Sequence, residues 1–227
     1  ETDPGFGVPV QWDIPLLEGY RSVFLPNLRG KQTPAGFWSL VNPGIVKLLW
    51  KAPRGYLVVH GWAYCTHLLA ILFGRLFGHR VCLRAESPLS QELTQPRWVQ
   101  LLKRLIFDYA LFQPAYYMFY IGKQNKAFFR HHGVPERKLV FTPYAVDNGR
   151  FQAEAAALQD EKKHIRESLG IPANARVVLF SGKYSLKKRP LDLLRAFHLA
   201  EITESFLVFL GDGEWRGELA AYIFKYQ

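Results

Sequence analysis

Short apolar runs closed by glycine or polar residues alternate along this chain with longer stretches at helical spacing. Tyr56 to His60, His79 to Leu83, Tyr116 to Ile121 and Leu139 to Thr142 read as strands. Between them lie an apolar helix from Trp62 to Phe77, a striped segment from Pro96 to Gln113, and a helix that ends at Gly133 after His131 and His132. Before them, Trp38 to Trp50 has helical spacing interrupted at Asn42-Pro43-Gly44, and the Gly-, Pro- and aromatic-rich opening settles into a short strand at Ser22 to Leu25. A polar helix spans Glu154 to Leu169. Val177 to Ser181 then reads as a fully buried strand, and Pro190 opens a helix with Leu193, Leu194, Phe197 and Ala200 on one face. Strands alternating with helices of these lengths predict βαβ units and parallel sheets, an α/β class.

In the stripe of Pro96 to Gln113, Leu101, Leu105, Tyr109 and Phe112 share one side, and Lys103, Arg104 and Asp108 are distributed around the rest. Such a stripe faces a core or, being basic and aromatic, lies on an anionic membrane; a core-facing helix is the expectation. The final segment has Trp215, Leu219, Tyr222 and Ile223 on one side of a helix.

Composition narrows the class. With 49% hydrophobic and 15% aromatic residues in 227, the chain is folded, with one to two domains. A formal charge of +10 calls for an acidic partner without choosing among nucleotide phosphates, anionic lipid and nucleic acid. Lys and Arg are scattered through both halves with no recognised RNA or DNA motif, so nucleic acid is not the expected partner. Cys65 and Cys82 sit in apolar sequence without metal-ligand spacing, which predicts buried thiols in a reducing compartment and no metal site. No run approaches the roughly 20 apolar residues that span a bilayer. The chain opens on Glu1 and closes at Gln227 within a helical pattern, so a fragment of a longer protein is expected.

The richest candidate chemistry lies in Val177 to Phe197. There a strand stops at Gly182, a loop carries Lys183, Lys187, Lys188 and Arg189, and Pro190 begins a helix. Strand ends and helix N-termini of parallel α/β sheets face the ligand crevice and favour anions, so the loop is a candidate diphosphate site; the alternative is a solvated basic loop. Two other strand ends carry polar residues: His60-Gly61-Trp62, and Arg84-Ala85-Glu86-Ser87. His60 suits proton exchange near neutral pH or is satisfied by neighbouring backbone.

The stretch SGKYSLKKRPLDLLRAF, followed by FLVFLGDGEWRGEL, resembles the start of the donor-binding domain in family four of the retaining, GT-B-type glycosyltransferases. A glycine and a basic residue end the first strand, a Lys follows five residues after that basic residue, and a Gly-x-Gly turn follows the next strand: Gly182, Lys183, Lys188, Gly211 and Gly213. Lys183 stands where that family usually has Arg, giving a point charge without a bidentate fork. A second stretch, GKQNKAFFRHHGVPERKLVFTPYAVDNGRF, resembles the crossing from acceptor to donor domain.

The resemblance implies a GT-B architecture of two Rossmann-like domains with parallel sheets, both incomplete here. Residues 1–143 would be acceptor-side, 144–170 a linker, and 171–227 the start of the donor domain. It implies transfer of a sugar from a nucleotide diphosphate sugar to a glycan or lipid-linked acceptor with retained configuration. Lys183 and Lys188 would be catalytic; Gly182, Gly211 and Gly213 would bind donor; His60, Arg84, Glu86 and Asp147 would serve acceptor or cleft, together with Trp12, Asp13, Tyr20 and Asn125 as further candidates. Arg84 and Glu86 depart from the His many members place there and resemble an Arg-Gly-acidic-Ser subset, with Ala85 in place of the Gly, which carries over a binding role only. No cofactor or metal is required, and the implied location is cytoplasmic, peripheral on the inner face of a membrane. The family's pair of Glu residues, separated by seven others, would lie beyond Gln227. A different class remains open: a degenerate, non-catalytic module that holds nucleotide sugar or a partner protein.

Overall fold

The computed structural model describes residues 14–30 and 36–226, and the chain divides into two units, one of Ser22–Val146 and the other of the remaining residues. Trp12 and Asp13 lie outside the described residues.

The unit of Ser22–Val146 is an α/β layer around a four-stranded parallel sheet in the order β1-β2-β3-β4. Its elements run α1 (Gly44–Lys51), β1 (Tyr56–His60), α2 (Cys65–Leu76), β2 (Arg80–Arg84), α3 (Leu89–Leu93), α4 (Arg97–Ile106), β3 (Tyr117–Tyr120), α5 (Lys123–His131) and β4 (Leu139–Phe141). Pairing places Val59 opposite Leu83, His60 opposite Arg84, Arg84 opposite Phe119, and Phe119 opposite Val140. Val81, Cys82 and Leu83 of β2 are buried, as a strand with neighbours on both edges requires. Burial also raises the Cys82 thiol pKa, while Cys65 is half-buried; both are free thiols.

Aromatic packing fixes the core of this unit. Trp62 meets Phe107 and Phe112 at centroid distances of 5.3 and 5.2 Å, and Phe112 meets Phe129 edge-on at 5.7 Å. Burying each such ring contributes roughly 1.5–3 kcal/mol, so this cluster anchors α5 to the segment that follows α4. Phe107–Phe112 follows α4 as a π-helical turn. The widened turn leaves carbonyls to satisfy, and Arg75 of α2 donates to Ala110 O at 2.7 Å and Leu111 O at 2.8 Å.

The second unit contains α6 (Asn148–Ala157), α7 (Lys162–Ser168), β5 (Arg176–Ser181), α8 (Pro190–Leu199), β6 (Ser205–Leu210) and α9 (Arg216–Tyr226). The two strands pair in parallel, Ser181 opposite Leu210. Buried Tyr184, Leu194 and Leu219 gather Phe180, Leu207, Phe209, Trp215, Tyr222 and Ile223.

Four expectations are corrected. Ser22–Leu25 forms no strand: Asn42 Nδ2 donates to Leu25 O and Pro26 O at 2.9 Å each, so a side-chain amide takes the carbonyls a ladder would use, and Pro26 offers no N–H. The apolar helix begins at Cys65 rather than Trp62, because Gly61 turns at φ 81° and Trp62 is drawn into the aromatic cluster. The polar helix of 154–169 is two helices, broken after Ala157 where Leu158 ends α6. Strand β5 is not fully buried: Leu179 is 59% exposed, since the apolar cluster covers the face carrying Phe180.

The stripe of 96–113 is the fifth correction. Phe112 is buried, but Leu101, Leu105 and Tyr109 are exposed and α4 has no buried residue at all. The π turn rotates Phe112 into the core and leaves the preceding helix facing outward.

Candidate functional site

In the parallel sheet of the first unit, the carboxyl edge gathers His60, Arg84 and Glu86. The His60–Arg84 pairing brings the first two level, and Gly61 N–H donates to Arg84 O at 2.7 Å, extending the ladder one residue beyond β1. His60 is exposed and Arg84 half-buried. The Arg84 guanidinium lies 5.4 Å from the centroid of the Tyr144 ring, and its Nε is buried without a partner. Glu86, in turn, raises the Tyr144 pKa. Over this aromatic face the Arg84 guanidinium gains a cation–π contact.

Asn125 is a positioning residue for this edge. Its side chain is buried, accepts from Ile121 N–H at 3.1 Å and donates to Ser87 O at 3.1 Å. It therefore ties the loop carrying Glu86 to the end of β3, rather than lining open space. His67 stands near His60, and burial first, then the His60 charge, lower its pKa.

At the carboxyl edge of the second unit's sheet, glycines set the geometry. Gly182, Gly211 and Gly213 have φ of 154°, 151° and 151°, a region that side chains strain to adopt. Gly182 N–H donates to Leu210 O at 3.0 Å and Tyr184 N–H to Asp212 O at 2.8 Å, so the two strand ends remain stitched beyond β5 and β6. Asp212 bridges the turn: its Oδ1 accepts from Gly213 N–H at 2.8 Å and its Oδ2 from Arg216 at 2.8 Å. Tyr184 is buried against Phe209, and burial raises its pKa.

Lys183 is half-buried beside Gly182, while Lys187 and Lys188 are exposed on a 3-10 turn of Leu186–Lys188. Both Lys188 N–H and Arg189 N–H donate to Ser185 O, at 3.0 and 3.1 Å, and Arg189 takes the left-handed conformation at φ 52° before Pro190 starts α8. Arg189 also pairs with Asp192. The loop is thus built by backbone bonds to Ser185, leaving the Lys187 and Lys188 side chains to solvent.

Asp147 caps α6: its Oδ1 accepts from Arg150 N–H at 3.0 Å. Tyr20 is exposed, and its hydroxyl donates to Leu16 O at 2.6 Å. Sequence reasoning missed Tyr144 and Asp212. Asp212 was visible as the middle residue of the Gly-x-Gly turn; Tyr144 carried no signal, because only the chain's return after β4 brings it to Arg84. Among the described residues, no three His, Cys, Asp or Glu side chains gather where a metal ion would bind. No family model matches the chain, and no curated protein matches it.

Proposed function

We propose that this chain is part of a retaining glycosyltransferase of GT-B architecture that takes its sugar from a nucleotide diphosphate donor and passes it to a glycan or lipid-linked acceptor. One observation supports this above the others. Three glycines at the ends of two neighbouring parallel strands, Gly182, Gly211 and Gly213, turn the chain at one sheet edge, and the chain leaving Gly182 carries Lys183 and Lys188 before α8 begins. Cations beside a helix N-terminus favour a diphosphate.

In this reading Lys183 and Lys188 neutralise the diphosphate as the bond from the anomeric carbon to the phosphate oxygen breaks and that oxygen takes the electron pair. The acceptor hydroxyl attacks from the same face and passes its proton to the departing phosphate oxygen, so configuration is retained without a protein nucleophile. On the other sheet, Arg84 and Glu86 hold acceptor hydroxyls or anionic groups through directed hydrogen bonds. No metal is required where ammonium groups supply the positive charge.

Calorimetric titration with the diphosphates of uridine, guanosine and adenosine tests the donor site. Saturable binding of at least one is expected, weakened roughly tenfold or more by Lys183→Ala with Lys188→Ala. Absence of binding by all three, or equal binding by the double variant, overturns the proposal.

A further inference from the structure

Between the loop that follows β2 and the helices α3 and α4 lies a small polar pocket. It encloses about 130 Å³ and is lined by Ser87, Pro88, Gln91, Glu92, Gln95 and Lys103. At ~30 Å³ for each water-sized group, that volume suits a molecule with only a few heavy atoms, or one edge of a larger one. Glu92 is 6% exposed. Its Oε2 meets Lys103 Nζ at 3.0 Å, while its Oε1 is buried with no hydrogen-bond partner among the described residues. A buried carboxylate oxygen is costly to leave unpaired, so whatever fills the pocket should donate to it.

The walls are held by bonds of their own. Gln95 N–H donates to Glu92 O at 3.1 Å, Thr94 Oγ1 to Gln91 O at 2.8 Å and Gln100 Nε2 to Gln95 O at 2.8 Å. Asn125 Nδ2 fixes Ser87 O at 3.1 Å. The backbone that carries the lining side chains is therefore tied down, and a ligand need not order it.

Charge and donor chemistry select the occupant. Glu92 and Lys103 neutralise each other, so the pocket favours neither sign. A metal ion or an amine would compete with Lys103 for the single carboxylate, in a unit, Ser22–Val146, that has 16 Lys and Arg against four Asp and Glu; the rest of the chain has 13 against 15. An anion would face Glu92 Oε1, and an apolar molecule would leave that oxygen unpaired. A hydroxyl group both donates and accepts. It can give its hydrogen to Glu92 Oε1 and take one from Lys103, while the side chains of Ser87, Gln91 and Gln95 offer donors and acceptors to further hydroxyls.

We infer that this pocket binds a small neutral polyol, with one hydroxyl donating to Glu92 Oε1. His60, Arg84, Glu86 and Asp147 do not line it, and the inference is independent of the glycosyl-transfer reading.

Saturation-transfer NMR on the whole chain tests it, with glycerol, erythritol and methyl glucoside as probes and ethylammonium as the cationic control. Saturable binding of at least one polyol is expected. Glu92→Gln should weaken it roughly tenfold or more: Lys103 keeps the amide oxygen, so the NH2 turns into the pocket and puts a donor where an acceptor is needed. Gln91→Leu keeps the bulk of an exposed side chain, removes its amide and should weaken binding severalfold. Unfolding transitions verify that each variant is folded, and Gln91→Leu decides the matter if Glu92→Gln is not. Absence of binding by all three polyols overturns the inference, since water alone then satisfies Glu92. Unchanged affinity in the folded variants overturns it too, as does ethylammonium binding that depends on Glu92 and exceeds that of every polyol.

Discussion

The carbonyl of Gly182 fills the space that a side chain on Gly211 would need. A Cβ on Gly211 would overlap Gly182 O, lie 3.0 Å from its carbonyl carbon and 3.2 Å from the Tyr184 ring. Two strand ends are thereby held closer than any residue with a side chain permits, and Tyr184 closes over them. The parallel register, Ser181 opposite Leu210, delivers both glycines to the same edge.

Gly211→Ala should consequently destabilise the second unit by more than the roughly 1–3 kcal/mol of a strained backbone conformation alone, because backbone must also move. Gly217→Ala provides the opposite sign. Gly217 lies in α9 with open space around its Cα, so alanine there should stabilise by roughly 0.5–1 kcal/mol through helix propensity. Denaturant midpoints of the two variants check the pair; equal shifts would remove the close approach as a structural constraint.

His132 supplies a pH dependence. It is 1% exposed among Phe107, Phe112 and Phe128, its Nδ1–H donates to Asp108 Oδ1 at 2.8 Å, and its Nε2 is buried without a partner. Burial lowers its pKa below 6.5 despite the opposing pull of Asp108, and His67 is lowered as well. The unfolded chain therefore binds more protons than the folded one once pH falls below about 6.5, and stability is lost as pH falls through the lowered folded values. Unfolding midpoints at neutral and mildly acid pH should show this loss in the wild type and a smaller one in His132→Phe. An identical loss in both would show that His132 does not titrate this way.

Local pattern made the strand positions legible. Tyr56 to His60 is a strand end to end, and the other parallel strands fall within a residue or two of their apolar runs, because a buried strand needs continuous apolar residues whatever its neighbours. Gly182, Gly211 and Gly213 were legible too, since turns at strand ends demand them. What escaped depended on distant chain. The outward turn of α4 hinges on a π turn held by Arg75, some 35 residues away in sequence. Tyr144 reaches Arg84 only through the sheet's strand order. The concentration of charge in one unit was present in the sequence but concealed by the total, since Lys and Arg are spread through both halves and only the acids are segregated.

Lys188 and Lys187 offer the most direct separation of a catalytic loop from a basic one. Both are exposed on the same 3-10 turn, so general electrostatic attraction treats them alike, and both should then weaken together as salt rises. A residue that meets the leaving diphosphate behaves otherwise. Its interaction strengthens as the glycosidic bond breaks and charge gathers on the phosphate oxygen, so removing it slows turnover more than it weakens donor binding. Under the glycosyl-transfer reading, Lys188→Ala should cost roughly 2.7–4 kcal/mol of transition-state stabilisation, about 100- to 1000-fold in rate, in an active form of the enzyme. Lys187→Ala should change the rate far less. Turnover of the two variants with a matched donor, alongside their donor affinities, makes the comparison. Near-equal turnover with the fold intact would take Lys188 out of the site and leave the loop as solvated charge.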